Sequence, residues 1–136
     1  MTLAAYIPKG LTSAAVGSFS KLNALVSLTL GVSTGLTAST TQTRAGALAL
    51  TEIVNNIGTV ATSGNAVGLP AAVAGTAVIV FNGGANPAAV FPAAAADTID
   101  GGSAGASVTL TNAKRAWFFC VATGTWISAQ LGVVSA

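Results

Sequence analysis

At 136 residues the chain is long enough for one domain with a modest core. Only 6% of its residues are charged and 52% are hydrophobic, against roughly 25% charged in a typical soluble domain, so a membrane protein is the first class to weigh. The sequence argues against it: a spanning helix needs about 20 consecutive apolar residues, and the best candidates, LNALVSLTLGVSTGL (22–36) and LPAAVAGTAVIVF (69–81), are shorter and interrupted by Gly, Pro, Ser or Thr.

Pro8, Lys9 and Gly10 break up what would be the apolar region of a signal peptide, and no basic residue precedes them, so a secretory leader is not expected. With Cys120 as the single cysteine there is no internal disulfide, which fits folding in a reducing cytoplasm. The net charge of +2 comes from Lys9, Lys21, Arg44, Lys114 and Arg115 against Glu52, Asp97 and Asp100. No charged side chain lies between Glu52 and Asp97. A surface so poor in charge is either coated with Ser, Thr and Asn or buried against other chains, and the second reading is favoured, as in an obligate oligomer.

In chain order, residues 1–43 are dense in Ser, Thr, Leu and Gly, with Tyr6 and Phe19 as their aromatics. SKLNALVSLTLGV (20–32) alternates Leu28, Leu30 and Val32 with polar or small neighbours, a strand pattern, while Leu22, Leu25 and Val26 equally allow a short helix. STGLTASTTQT (33–43) reads as a loop or loose strand. The whole stretch is expected to be an extended N-terminal arm that makes oligomer or capsid contacts, because it lacks the bulk for its own core.

From residue 44 the texture is all-β. GALALT (46–51) and IGTVAT (57–62) read as strands leading to the turn SGN (63–65), and TEIVNN (51–56) as a helical turn. TAVIVF (76–81) is a β-branched run of the kind a fully buried strand carries. NGGANP (82–87) is a turn, AAVFP (88–92) returns, DTIDGG (97–102) turns again, SVTLT (107–111) is a strand and NAKR (112–115) a turn. RAWFFCVATGTWIS (115–128) then forms a hairpin about Thr123-Gly124, its aromatics read as a core plug. Short strands with turn signals every 8–12 residues or so indicate a small antiparallel β-sandwich or barrel over residues 44–136.

Chemistry is scarce. There is no histidine, hence neither the most usual general base nor the most usual metal ligand. Cys120 lacks a neighbouring base and alternates within an apolar strand, so it reads as a structural thiol. Asp97 and Asp100 could in principle form a glycosidase pair, but they frame DTIDGG, where Asp before Gly is turn chemistry. That motif matches no EF-hand spacing, and NGGANP lacks the strand–glycine-loop–helix context of a phosphate cradle. Lys114-Arg115 is a basic pair at a turn, too narrow for nucleic acid. No catalytic, cofactor-binding or metal-ligating residue is assigned, and no cofactor is expected; the protein is read as a non-enzyme.

LPAAVAGTAVIVFNGGANPAAVFPAAAADTIDGG (69–102), followed by SVTL and WFFCVATGTW, resembles a small β-module recurrent in tailed bacteriophages. The pieces that carry the resemblance are Leu69-Pro70, Val73-Ala74-Gly75, Phe81-Asn82, Val90-Phe91-Pro92, Asp97-Thr98-Ile99-Asp100-Gly101, Trp117 to Cys120 and Gly124-Thr125-Trp126. Proteins with this pattern look like capsid decoration (cement) proteins, with related modules in head fibres and tail fibres. The resemblance covers about two thirds of the chain, from about residue 40 onward, and the first forty residues match no known pattern.

The resemblance implies a homotrimer seated where capsid subunits meet, with the major capsid protein as partner and neither nucleic acid nor membrane. It places the protein on the virion, at the capsid surface, after assembly in the host bacterial cytoplasm. The alternative it leaves is a receptor- or glycan-binding module of a head or tail fibre, which would want exposed aromatics at one tip and a repetitive shaft upstream. No heptad pattern is visible in residues 1–43.

Overall fold

The computed structural model describes residues 29–131. Among these residues there is no helix, and ten strands follow one another: β1 (Val32–Thr37), β2 (Leu48–Ala49), β3 (Val54–Thr59), β4 (Asn65–Gly68), β5 (Ala77–Asn82), β6 (Ala88–Phe91), β7 (Thr98–Ile99), β8 (Val108–Leu110), β9 (Arg115–Ala122) and β10 (Thr125–Leu131). They form a six-stranded sheet, β1-β3-β5-β9-β10-β7, and a four-stranded sheet, β2-β4-β6-β8. The all-β expectation holds.

The antiparallel sandwich or barrel does not describe this arrangement. Consecutive strands from β1 to β6 alternate between the two sheets, so each returns one coil later beside its predecessor and in the same direction. The result is a β-solenoid with mixed sheets. The turns read from the sequence are mostly corners between sheets, not hairpins within one, and β1 and β7 remain as sheet edges where a barrel would have closed. The last strands change direction: β8 pairs antiparallel with β6, β9 with β5, and β10 folds back on β9 before taking the short β7 in parallel. The pairings of β8 with β6, β9 with β5 and β10 with β9 are antiparallel, so the run of parallel coils ends there.

Two local expectations change, and the loose-strand reading of 33–43 holds for its first residues. TEIVNN is not a helical turn: Val54 opens β3, held between Val32 of β1 and Ile79 of β5, and this pairing overrides the local preference. The turn at 63–65 ends one residue early, at Gly64 (φ 86°), and Asn65 opens the unforeseen β4. Within the expected arm, Val32–Thr37 is an edge strand of the six-stranded sheet, with irregular register after Ser33, while residues 1–28 lie outside the described residues.

The core fills the space between the sheets. Ile57, Val78, Val80, Phe118, Cys120 and Trp126 enter it from one side and Val67, Ala88, Val90 and Leu110 from the other. β5 reads half-buried, buried in strict alternation, so TAVIVF buries Val78 and Val80 while Ile79 and Phe81 point outward. A corner network ties coils together. Asn82 donates through Nδ2 to the carbonyls of Asn86 and Leu110, and its Oδ1 accepts from the Gly84 N–H. Asn86 in turn donates to the carbonyls of Val60 and Ala61. NGGANP is therefore a structural clamp between coils.

Candidate interaction surface

The hairpin divides its bulk between two faces, as strand geometry requires. Inward, Trp126 lies opposite Cys120 on β9 and Ile99 on β7, all three buried, and Phe118 is buried beside Val78. Outward, Trp117 is 42% exposed and Phe119 39%, with their ring centroids 6.1 Å apart and tilted by 53°. The core-plug expectation is thus right for Trp126 and Phe118 and wrong for Trp117 and Phe119. Both faces of β9 are apolar, and only one faces the solenoid interior.

The outward residues align across the sheet. One row of backbone partners runs Val32, Val54, Ile79, Trp117, Ala129, over five neighbouring strands. A second runs Ala77, Phe119, Ile127, and a third Asn56, Phe81, Arg115, Leu131. Val32, Trp117, Phe119, Val121, Ile127 and Leu131 all remain substantially exposed. At a strand spacing of about 4.8 Å the five-strand row spans about 19 Å, and Arg115 to Val121 spans about 20 Å along β9. A rectangle on the order of 400 Å² bounds these rows, within the range of the largest apolar patch on an ordinary single chain, a patch that is often functional.

At one margin the patch turns polar. The Arg115 guanidinium carbon lies 5.4 Å from the centre of the Phe81 ring, a cation–π contact. Asn56, Phe81, Asn82, Lys114 and Arg115 line a shallow pocket of about 170 Å³ beside it. The sequence put Arg115 both at the end of the NAKR turn and at the start of the hairpin; it is the first residue of β9, and Ala113, two residues earlier, takes a left-handed backbone (φ 57°).

The other candidates resolve into local structure. Asp97 is buried and accepts from the Ala94 N–H, and its backbone carbonyl accepts from Gly105 N–H. The Asp100 carboxylate accepts from both the N–H and the hydroxyl of Ser128, each at 2.6 Å, which fastens the 97–102 turn to β10. Each carboxylate thus has a structural task of its own. No group of three or more His, Cys, Asp or Glu side chains able to hold a metal occurs among the described residues.

Cys120 is 2% exposed, and its thiol donates to the Ala122 carbonyl at 3.1 Å. Cys120→Ala is expected to cost about 1 kcal/mol, comparable to removing one buried methyl-sized group. Chemical denaturation of both proteins checks this, and a loss above about 3 kcal/mol would contradict the packing role.

The apolar outer face is what sequence reasoning missed, although its signal was present. A strand with apolar residues on both faces has two surfaces to cover, and β9 carries Trp117, Phe119 and Val121 on one and Ala116, Phe118 and Cys120 on the other. Comparison of the chain with protein-family models, with curated proteins and with solved structures finds no match.

Proposed function

We propose that this protein is a non-enzymatic assembly module that decorates the outside of a tailed-phage capsid as a homotrimer and stabilises the shell. The observation that carries the assembly part is the apolar outer face running unbroken from Val32 on β1 to Ala129 on β10. The capsid part rests on the resemblance of residues 69–126 to cement modules, and the low charge of the chain agrees with a permanently assembled protein.

The mechanism is differential binding. A protein that binds the assembled lattice and not free subunits stabilises the lattice by mass action, each bound copy adding to the free energy of disassembly. Such selectivity arises when the binding site is composite, made by neighbouring capsid subunits together. The major capsid protein is then the partner, and the capsid surface of the virion is where the protein resides.

Purified protein is expected to bind expanded capsids and ignore free capsid subunits, and particles carrying it should survive heating or osmotic shock that ruptures particles without it. Equal survival of the two populations would overturn the decoration reading.

The Phe81–Arg115 pocket favours a second reading, a glycan- or receptor-binding module of a fibre, because an aromatic ring beside amides and a cation suits a polar ligand. The two readings separate at Arg115→Ala. In the fibre reading that variant loses binding to host cells or polysaccharide; in the decoration reading it binds particles as before.

A further inference from the structure

We infer that the outer face of the six-stranded sheet is covered by a second copy of this chain, the copies sharing that face around their common axis. The inference rests on the homotrimeric assembly proposed above and names the surface that builds it.

Charge narrows the occupant first. The three outward rows contain no acid and a single cation, Arg115, which is stacked on Phe81 of the same face. A nucleic acid, an acidic peptide or an anionic membrane would find almost no opposite charge there. A neutral apolar surface is complementary to another such surface, and every copy of this chain carries one.

Area narrows it further. A stable association buries about 800 Å² per partner, with an apolar centre inside a polar rim. The patch of about 400 Å² supplies the centre, and Asn56, Lys114 and the Ser and Thr side chains around it supply the rim. Trp117 is the largest side chain of the five-strand row, placed between Ile79 and Ala129, and a large aromatic is the residue type that contributes most to binding. Position in the sheet also matters. The row starts on the edge strand β1 and crosses β3, β5 and β9 to β10, so most of it is reached only by a partner stacking on the face. Three flat faces turned toward one axis enclose an apolar prism, a closed arrangement that leaves no face open for further growth.

The test is sedimentation of the full chain at micromolar concentration, for wild type, Trp117→Glu and Val73→Glu. Val73 is an exposed apolar residue in the loop before β5 and belongs to none of the three outward rows. Wild type and Val73→Glu are expected as trimers, and Trp117→Glu as a monomer with association weakened at least about 100-fold. Trp126 is the only tryptophan left in Trp117→Glu, so blue-shifted emission from its buried ring reports that the fold persists.

Wild type alone gives an independent reading: in the assembled state both indoles are shielded from acrylamide. A quenchable indole in the trimer, or a Trp117→Glu variant as fully assembled as wild type, overturns the inference. Loss of assembly on removing residues 1–28 while Trp117→Glu stays assembled overturns it too, in favour of that segment. The two proposals fail separately. A Trp117-dependent trimer that ignores capsids overturns the capsid reading alone, and a wild-type monomer that binds capsids overturns this inference and the homotrimer with it while the decoration reading stands.

Discussion

Trp126→Ala is expected to lower the stability of a single copy by roughly 3–5 kcal/mol, whereas Trp117→Ala lowers it by less than about 1 kcal/mol. The two residues belong to one hairpin and to one residue type, and only their faces differ. Trp126 is fully buried between Cys120 and Ile99, so removing the ring leaves a cavity that the surrounding solenoid cannot close. Trp117 is 42% exposed, so its removal from a single copy opens no enclosed cavity.

A third variant refines the comparison. The Trp126 Nε1–H is buried with no hydrogen-bond partner among the described residues, and an unpaired buried donor costs about 1–3 kcal/mol. Trp126→Phe removes that donor while keeping most of the ring, so it is expected to cost about 1 kcal/mol net, well below Trp126→Ala. Denaturant titration followed by far-ultraviolet circular dichroism, under conditions where copies are dissociated, measures all three. Equal losses at Trp117→Ala and Trp126→Ala would contradict the assignment of faces.

Gly84→Ala should be comparably damaging, at about 3 kcal/mol, though it adds only one methyl group. A β-carbon at Gly84 would stand 2.6 Å from the Val60 backbone nitrogen and 2.8 Å from the Val60 side chain. Neither can retreat cheaply. Val60 is buried, its carbonyl accepts from Asn86, and the Gly84 N–H is committed to Asn82 Oδ1. Relief of the clash therefore has to break the corner clamp between coils. Gly68→Ala is the matched control: its nearest neighbour would lie at 3.6 Å, an ordinary contact, and its loss should stay within about 1 kcal/mol. Similar melting temperatures for the two variants would show that the clamp yields and that the account of this corner is wrong.

The strands most legible in the sequence are those whose signals are local. β5 announces itself by a β-branched run, and β9–β10 by alternation around Thr123-Gly124, where Gly124 takes φ 79°. β4 was hidden because Asn65 looked like the end of a turn, and Val54 was hidden because a short apolar segment after Thr51-Glu52 fits a helical turn as well as a strand. What decides both is pairing with residues one coil away, and such partners leave little trace in local composition.

The solenoid was illegible for the same reason. A corner between sheets and a hairpin turn use the same Gly, Asn and Asp chemistry, so turn spacing does not say whether the next strand pairs with the last one. The apolar outer face fared differently. The alternation of Trp117, Phe119 and Val121 was visible, but assigning their side to the core presumed that every large apolar residue is interior. Under the assembly proposed above, the interior of the complex would include surfaces that one copy leaves open.

The central claim, that this is an assembly module of a capsid exterior, is tested most directly by imaging the particle that carries it. The predicted result is a three-lobed density on the outside of the shell, over the junctions between capsid subunits, with the six-stranded sheet of each lobe facing the shared axis. Density confined to a fibre, or a shell without such lobes, would contradict it.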